Sequence, residues 1–273
     1  MTRNPAVAGR FYPSDREDLI DIIESCFCHE LGPGTVEFSE GARTIKSAVV
    51  PHAGYLASGM VAAHVFSALA KEKKPDAYII VGPDHYGIPH DYAVCPEPYL
   101  TPLGECKIHD EILNRLEEKI PFSVKSHRQE HSVEVIVPFI QYIDPDAKII
   151  PIIMRNQSIT SAEKLASVIR DACKGFDVVF IASSDLSHYI PDSIEKMIDG
   201  KYLEKVSSMD TEGMYHTMSE YNLSVCGNGP VATAVLFSSG CGTVRILKHS
   251  NSWDSLKYDR NAVVGYAAAL ILT

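Results

Sequence analysis

DVVFIASSDLSHY, residues 177–189, is the stretch from which the fold is most readily inferred, because its two halves have opposite character. The first half, Asp177–Ala182, is a β-prone apolar run of the length and composition typical of a buried strand. The second half is polar and includes Asp185, His188 and Tyr189. In an α/β protein, ligands bind beyond the carboxyl ends of such strands, so this stretch predicts a site at a sheet edge.

Two more predicted strands run into histidine-containing loops in the same way. Ser47–Val50 is followed by PHAGY at residues 51–55, and Ala77–Val81 is followed by GPDHYG at residues 82–87. Rigid strands that end side by side bring their loops together, so we expect one shared cleft. The histidines expected to meet there are His52, His85 and His188, and the neighbours expected to line the cleft are Tyr55, Asp84 and Tyr189.

Short apolar runs alternate with helix-length amphipathic segments along most of the chain, a pattern typical of a sheet with helices packed against it. The other predicted strands are Lys148–Ile153, Val244–Leu247 and Val263–Leu272, and the proline-rich stretch His90–Lys107 is predicted to form strands and turns at a sheet edge. Helices are predicted at Ser14–Cys28 (with Ser14 as N-cap), Ser58–Lys71, Asp110–Lys119, Ser132–Tyr142, Ser161–Cys173, Pro230–Ser238 and, in two pieces, Ile194–Glu220.

The alternation of elements continues without a linker, repeat or low-complexity tract. Residues 1–273 are therefore predicted to form a single α/β domain. Its predicted architecture is a central, mostly parallel or mixed sheet flanked by helices.

Composition narrows the classes of function and location. A formal net charge of −10 without a basic stripe argues against nucleic-acid binding. The longest apolar stretch, Ala262–Leu272, is too short to cross a bilayer, and residues 1–13 lack the apolar core of a signal peptide. Seven cysteines, an odd number in a chain too large to need disulfide staples, fit free thiols. We therefore expect a cytoplasmic protein that binds neither nucleic acid nor membranes.

Cys226 lies in CGNGP, residues 226–230, directly before a predicted apolar helix. Pro230 suits a first helical turn, so the thiol is expected just outside a helix N-terminus, where the helix dipole stabilises a thiolate. A thiolate is both a metal ligand and a nucleophile. A small buried cysteine beside a glycine-rich turn accounts for the sequence equally well.

Glu130, His131 and Glu134 belong to EHSVE, residues 130–134, at the start of another predicted helix. The helix dipole favours carboxylates at this position, so simple capping and a role in the site are equally supported. Glu130 and His131 are therefore retained as candidate cleft residues.

Six segments of the chain resemble the Memo family in sequence, order and spacing, over essentially the whole length. They are RNPAVAGRFYP at residues 3–13, PHAGY at 51–55, GPDH at 82–85, EHS at 130–132, SSDLSHY at 183–189 and CG at 226–227. The resemblance implies a fold like that of the class III extradiol dioxygenases, which are non-haem iron enzymes that hold Fe(II) with two histidines and a carboxylate. It also implies a radical-enzyme neighbour as a partner, since prokaryotic members of the family are associated with one.

Carried over by this resemblance, His52 and His85 match the two histidine ligands of those enzymes, and His188 matches their acid–base histidine. Cys226 falls where they have the carboxylate ligand. A thiolate is softer than a carboxylate and favours iron, copper or zinc, while it changes the oxygen chemistry expected of the site. The similarity of fold therefore does not by itself imply dioxygenase activity.

Three functions are compatible with these residues, and each gives the cleft a small-molecule or peptide ligand. The first is a metal-binding protein with His52, His85 and Cys226 as ligands. As a redox or oxygen-handling enzyme, it would use His188 as the base and Asp185 as a nearby carboxylate. The second is a metal-free hydrolase or transferase with Cys226 as nucleophile, His188 as base and Asp185 orienting that base. The third is a non-catalytic module that recruits a peptide or partner domain.

Overall fold

The computed structural model describes residues 2–240 and 242–273, and a ten-stranded sheet forms its centre. The strands in chain order are β1 (Ile45–Val50), β2 (Ala77–Pro83), β3 (Tyr92–Val94), β4 (Tyr99–Thr101), β5 (Gly104–Ile108), β6 (Lys148–Met154), β7 (Val178–Ser183), β8 (His188–Ile190), β9 (Thr243–Asn251) and β10 (Val263–Leu272). Every residue of β2 and β7 is buried, as expected for strands that are covered on both faces.

The sheet is parallel at its centre and antiparallel at both sides. Its strand order is β4-β5-β6-β2-β7-β1-β10-β8, with β3 paired to β6 and β9 paired to β10. β5, β6, β2, β7 and β1 run parallel in that order, whereas β10 runs antiparallel to β1, β8 and β9. The predicted α/β class is confirmed, and the sheet is mixed.

The central strands β2, β7 and β1 are direct neighbours and end at the same edge of the sheet. Val50 of β1 pairs with Ser183 of β7, and Val81 of β2 pairs with Ala182 of β7. Because the three strands are parallel and in close register, the loops that follow them leave the sheet side by side. This register positions the candidate site.

Helices of the described part of the chain flank the sheet. They are α1 (Arg16–Cys28), α2 (Met60–Leu69), α3 (Asp110–Leu116), α4 (Val124–His127), α5 (Val137–Ile143), α6 (Ile159–Ala172), α7 (Asp192–Ser207), α8 (Thr211–Tyr221), α9 (Asn228–Phe237) and α10 (Ser252–Leu256). α1, α2 and α5 pack against one another, and α9 packs against α6, α8 and the strands β7, β1 and β2. A π-helical turn, Tyr55–Gly59, precedes α2, and a 3-10 turn, Glu134–Ile136, precedes α5.

Among the helix starts that differ from the predictions are those of α1 and α5. α1 is capped by Asp15 and not by Ser14, because the Asp15 carboxylate accepts two of the free N–H groups of the first turn. The helix predicted from Ser132 becomes α-helical only at Val137, after the 3-10 turn. Glu130 therefore lies outside the helix, and its carboxylate reaches His85 in the loop after β2.

No helix within residues 2–240 and 242–273 is both long and apolar enough to span a bilayer. The long apolar stretch near the end of the chain is a strand, β10, which pairs with β1 and β9. The cysteines of the described residues are all free thiols, and Cys241 lies outside the described residues.

Candidate metal centre

His52 lies just beyond the end of β1, and only 2% of it is exposed. Its Nδ1 lies 2.8 Å from the Ser183 hydroxyl oxygen, and that hydroxyl lies 2.6 Å from the Ser132 carbonyl. A carbonyl only accepts, so the single Ser183 proton goes to Ser132, and Nδ1 of His52 must donate to Ser183. The other ring nitrogen, Nε2, therefore carries the free lone pair with which a neutral imidazole binds a metal.

His85 is fixed by Glu130, a carboxylate that is 1% exposed. Glu130 accepts the His85 backbone N–H at 2.7 Å, and its other oxygen lies 2.9 Å from Nδ1 of His85. Burial alone would raise the pKa of Glu130, but hydrogen bonds from His85 and from the Ser132 backbone lower it to about 2. The ionised carboxylate keeps a proton on Nδ1, which leaves Nε2 of His85 as the nitrogen available to a metal.

Cys226 lies just before α9 and brings its thiol to the same place. Its Sγ is 3.3 Å from Nε2 of His52 and accepts the N–H of Asp185 at 3.2 Å. The Gln157 side chain donates to the Cys226 carbonyl at 2.7 Å, which fixes the turn before the helix. One ligand atom from each of His52, His85 and Cys226 lies within 4.8 Å of the other two.

The donors of this group fit a transition metal. Two imidazole nitrogens and a thiolate are ligands of zinc, iron and copper. Ligand atoms bound to one such ion at about 2.0–2.3 Å lie roughly 3–4 Å from one another in tetrahedral geometry. Small side-chain movements would therefore bring the three ligand atoms, now within 4.8 Å, onto one ion.

Burial shifts the pKa values of two of these ligands in opposite directions. It lowers the pKa of His52 to about 3, and the nearby His85 imidazole acts in the same direction, so His52 is neutral at neutral pH. Burial raises the pKa of the Cys226 thiol, and the Asp185 carboxylate acts in the same direction. The thiolate expected at the helix start is therefore not favoured in the metal-free protein, because burial and Asp185 outweigh the helix dipole.

Asp185 and His188 come from the same loop but have different hydrogen-bond partners. The Asp185 carboxylate accepts the backbone N–H groups of His52, at 2.8 Å, and of Ala53. Nδ1 of His188 lies 3.0 Å from the Ser224 carbonyl. A positive charge on the His188 ring would lower the pKa of both His52 and Asp185. Within the described residues, Asp185 therefore holds the His52 loop and does not orient the His188 ring.

His131 extends the imidazole group. Its ring stacks on that of His85 with centroids 4.5 Å apart and lies 5.5 Å from the ring of His52. Burial lowers the pKa of His131 to about 4, so the ring is neutral at neutral pH. His85, Glu130 and His131 also have ligand atoms within 4.8 Å of one another. The structure thus places Glu130 and His131 beside the predicted ligands.

Two of the five residues expected to line the cleft, Tyr55 and Asp84, have other hydrogen-bond partners. Tyr55 is 1% exposed and donates its hydroxyl hydrogen to the Val135 carbonyl at 2.9 Å, so it belongs to the core. The Asp84 carboxylate accepts the N–H groups of residues 86–88 and closes a turn. Tyr189 is 76% exposed, and its ring centroid lies 5.9 Å from that of His188, at the rim. Packing and turn formation thus use the Tyr55 hydroxyl and the Asp84 carboxylate, and the places of these two residues in the cleft wall stay predictions.

Three residues that organise the ligands were not predicted from the sequence. Ser183 and Ser132 fix the tautomer of His52, and Gln157 holds the Cys226 turn. Both serines lie within segments that carry the family resemblance, but their residue type does not distinguish them from ordinary loop serines. Their role follows from tertiary contacts: the register of β1 against β7 brings Ser183 beside His52, and the Ser132 carbonyl accepts the Ser183 hydroxyl.

Comparison with known proteins identifies the family. Residues 3–270 match the family model of Memo-like proteins. MEMO1 family proteins of Caldivirga maquilingensis and Ignicoccus hospitalis are 40% and 41% identical to this chain, with 98% of this chain and of each relative covered. A crystal structure of an uncharacterized Escherichia coli K12 protein covers 83% of this chain and 99% of its own with a TM-score of 0.48 and 10% identity, a likeness too distant to support an argument. The chain belongs to the Memo family.

Proposed function

We propose that this protein binds one metal ion, iron in the first place, through Nε2 of His52, Nε2 of His85 and Sγ of Cys226. The observation that carries the proposal is the convergence of these ligand atoms within 4.8 Å of one another. It is supported by the partners of the two Nδ1 atoms, Ser183 and Glu130. Outer hydrogen bonds of this kind orient metal-binding histidines and increase their basicity.

The donor set favours a transition metal over magnesium or calcium, which prefer oxygen ligands. Iron is the first choice because of the family's resemblance to non-haem iron enzymes, and copper and zinc are the alternatives that the same donors accept. Such an ion supplies Lewis acidity and, in the case of iron or copper, a redox function.

Other residues of the chain would bind and position a small-molecule or peptide ligand beside the three metal ligands. We assign to His188 the acid–base role, at Nε2, because its Nδ1 lies against the Ser224 carbonyl. We assign to Asp185 the positioning of the His52 loop. The proposed function is therefore a metal-dependent redox or oxygen-handling protein whose ligand enters beside His188.

A metal-free cysteine enzyme is the second candidate, favoured by the 3.3 Å distance between Sγ of Cys226 and Nε2 of His52. The catalytic pair would differ from the expected one, since the base in contact with the thiol is His52 and His188 bonds to Ser224. A lowered pKa makes His52 a weak base, and a raised pKa makes Cys226 a poor nucleophile. These directions favour the metal-binding proposal.

A thiol-reactive probe, applied with and without a chelator, separates the two candidates. A metal-bound Cys226 thiolate should be protected until the chelator removes the ion. A metal-free nucleophile should be labelled to the same extent in both conditions.

Metal content of two variants tests the proposal itself, after anaerobic loading with Fe(II). Cys226→Ser should lose one equivalent of metal, because a serine hydroxyl stays protonated. His188→Ala should keep that equivalent of metal. The rate of the reaction that the site catalyses should fall on the order of a hundredfold, the usual contribution of a positioned base. Circular dichroism checks folding. If Cys226→Ser keeps its metal while His188→Ala loses it, the ligand and base assignments are reversed.

A further inference from the structure

Away from the histidine–cysteine group, two carboxylates lie side by side between α7, β9 and β10. Glu195 and Asp199, four residues apart on one face of α7, are both 0% exposed. Nε2 of His249, on β9, lies 2.8 Å from Glu195, and 22% of the His249 side chain is exposed. One ligand atom from each of the three residues lies within 4.8 Å of the other two.

These buried carboxylates differ from their neighbour Asp192 in their counter-ions. Asp192, in the first turn of the same helix, lies 2.7 Å from Lys196 and 3.1 Å from Arg260. Among the ion pairs within residues 2–240 and 242–273, none joins Glu195 or Asp199 to a lysine or an arginine. Buried charges are normally paired or bound to metals, because removing a lone carboxylate from water is costly.

Hydrogen-bond donors fix both carboxylates without neutralising them. Asp199 accepts the hydroxyl and the backbone N–H of Ser187 at 2.5 and 3.1 Å, and Glu195 accepts the Asn251 amide at 2.6 Å. Burial raises the pKa of Asp199 to about 7, and the Glu195 carboxylate acts in the same direction. Two carboxylates this close repel each other when both are charged, so a cation beside them would be stabilising.

One oxygen of each carboxylate faces the backbone of Gly265 on β10. A Cβ atom at position 265 would lie 2.3 Å from Oδ2 of Asp199 and 2.6 Å from Oε1 of Glu195. Glycine is therefore required for these two oxygens to reach the same point. Oε1 of Glu195 is also the oxygen that contacts His249. Potential ligand atoms of all three residues therefore lie around one point.

We propose that Glu195, Asp199 and His249 form a second metal site, which takes a divalent transition-metal ion such as Zn²⁺ or Mn²⁺. Two carboxylates and one imidazole are donors that both ions accept. The ion would lie between the two buried carboxylates, and the Nε2 proton of His249 would move to Nδ1 so that Nε2 can bind. It thereby supplies the cation that neither a lysine nor an arginine provides to this pair within the described residues.

The position of the site gives the ion a structural task. Asp199 accepts the hydroxyl and the backbone N–H of Ser187, which lies in the loop between Asp185 and His188. A bound ion would therefore fix α7 and β9 to the loop that approaches the histidine–cysteine group. The site shares no ligand with that group, so the two sites can be emptied separately.

Zinc binding to chelator-stripped full-length protein tests the proposal, by competition with a chromophoric chelator. Cys226→Ser removes the first site, so this variant should bind one equivalent of Zn²⁺. Cys226→Ser combined with His249→Gln should bind none. The control combines Cys226→Ser with His216→Gln, because His216 also faces a carboxylate one helical turn away, that of Glu220, but is 77% exposed. This control should bind one equivalent.

A second readout separates loss of the site from loss of folding. In the Cys226→Ser background, Zn²⁺ should raise the melting temperature, and Glu195→Gln should abolish that rise while circular dichroism of the metal-free protein stays unchanged. The proposal is overturned if Cys226→Ser binds no zinc. It is also overturned if His249→Gln and His216→Gln lower the stoichiometry equally. If the first site does not exist, the result is different: Cys226→Ser then binds as many equivalents of Zn²⁺ as the wild type.

Discussion

Glu130 and Glu134 are four residues apart in the chain, both buried and identical in chemistry, yet they have different partners. Glu134 forms a salt bridge with Arg3 and accepts the backbone N–H groups of Ala6 and Val7. Glu130 accepts the backbone and ring N–H groups of His85. One carboxylate therefore meets a permanent cation of the N-terminal segment, and the other meets an imidazole that can lose its proton.

The comparison shows that the partner, and not burial, decides what a buried acid does. A guanidinium stays charged, so Glu134 and Arg3 form a fixed clamp that attaches residues 3–7 to the 3-10 turn before α5. An imidazole can exchange its proton for a metal, so Glu130 sets the basicity and orientation of His85. The two acids should therefore be separable by experiment, one through stability and the other through metal affinity.

The largest effect is expected on stability. Glu134→Gln leaves the Arg3 charge buried without its partner, so the free energy of unfolding should fall by about 3–5 kcal/mol. Urea denaturation measures it. Glu37→Gln is the control, because Glu37 pairs with Lys71 at an exposed position and its replacement should leave the free energy of unfolding nearly unchanged. Equal losses in the two variants would contradict the clamp.

The next effect is on metal affinity. Glu130→Gln removes the carboxylate that orients His85 and should weaken metal binding about 10–100-fold. Affinity is measured by competition with a chelator of known strength. The Glu134→Gln variant is measured without denaturant, where it is folded. Its metal affinity should equal that of the wild type. If both variants lose affinity alike, the distinction between the two acids fails.

A smaller effect is expected on the pH dependence of metal affinity. Burial would lower the pKa of His85, but the hydrogen bond and charge of Glu130 raise it, so the His85 proton competes with the metal at higher pH than usual. Above this raised pKa, metal uptake displaces the Cys226 proton, and log affinity should change by about one per pH unit. Below it, the His85 proton must also leave, and the slope should approach about two.

The measurement is chelator competition from about pH 5.5 to 8.5, where His52, with a pKa of about 3, adds nothing. Glu130→Gln should move the change of slope to lower pH, since it removes the group that raises the pKa of His85. A constant slope in the wild type would argue against His85 as a ligand.

The smallest effect is expected at Tyr55. Tyr55→Phe removes the hydrogen bond to the Val135 carbonyl in the core and should cost about 1 kcal/mol of stability. Metal affinity should stay unchanged, because the hydroxyl points into the core. A loss of metal affinity without a loss of stability would instead support the predicted place of Tyr55 in the cleft wall.

The sequence was sufficient to predict the sheet centre, because β2 and β7 are continuous apolar runs whose loops contain the histidines. It did not distinguish Glu130 from Glu134, since both fit a helix start and their partners lie about 45 and 130 residues away in the chain. Pairing over such distances depends on strand register, which short motifs do not encode. The assignment of residues 1–273 to a single domain stays a prediction.

The Cys226–metal bond is the most direct test of the proposed function. X-ray absorption is measured on protein with one equivalent of Zn²⁺ as a spectroscopic substitute, in the His249→Gln variant so that the second proposed site does not compete. We predict one sulfur ligand at about 2.3 Å together with imidazole nitrogens at about 2.0–2.1 Å. The sulfur signal should disappear in Cys226→Ser. A spectrum with only nitrogen and oxygen ligands would contradict the proposed site.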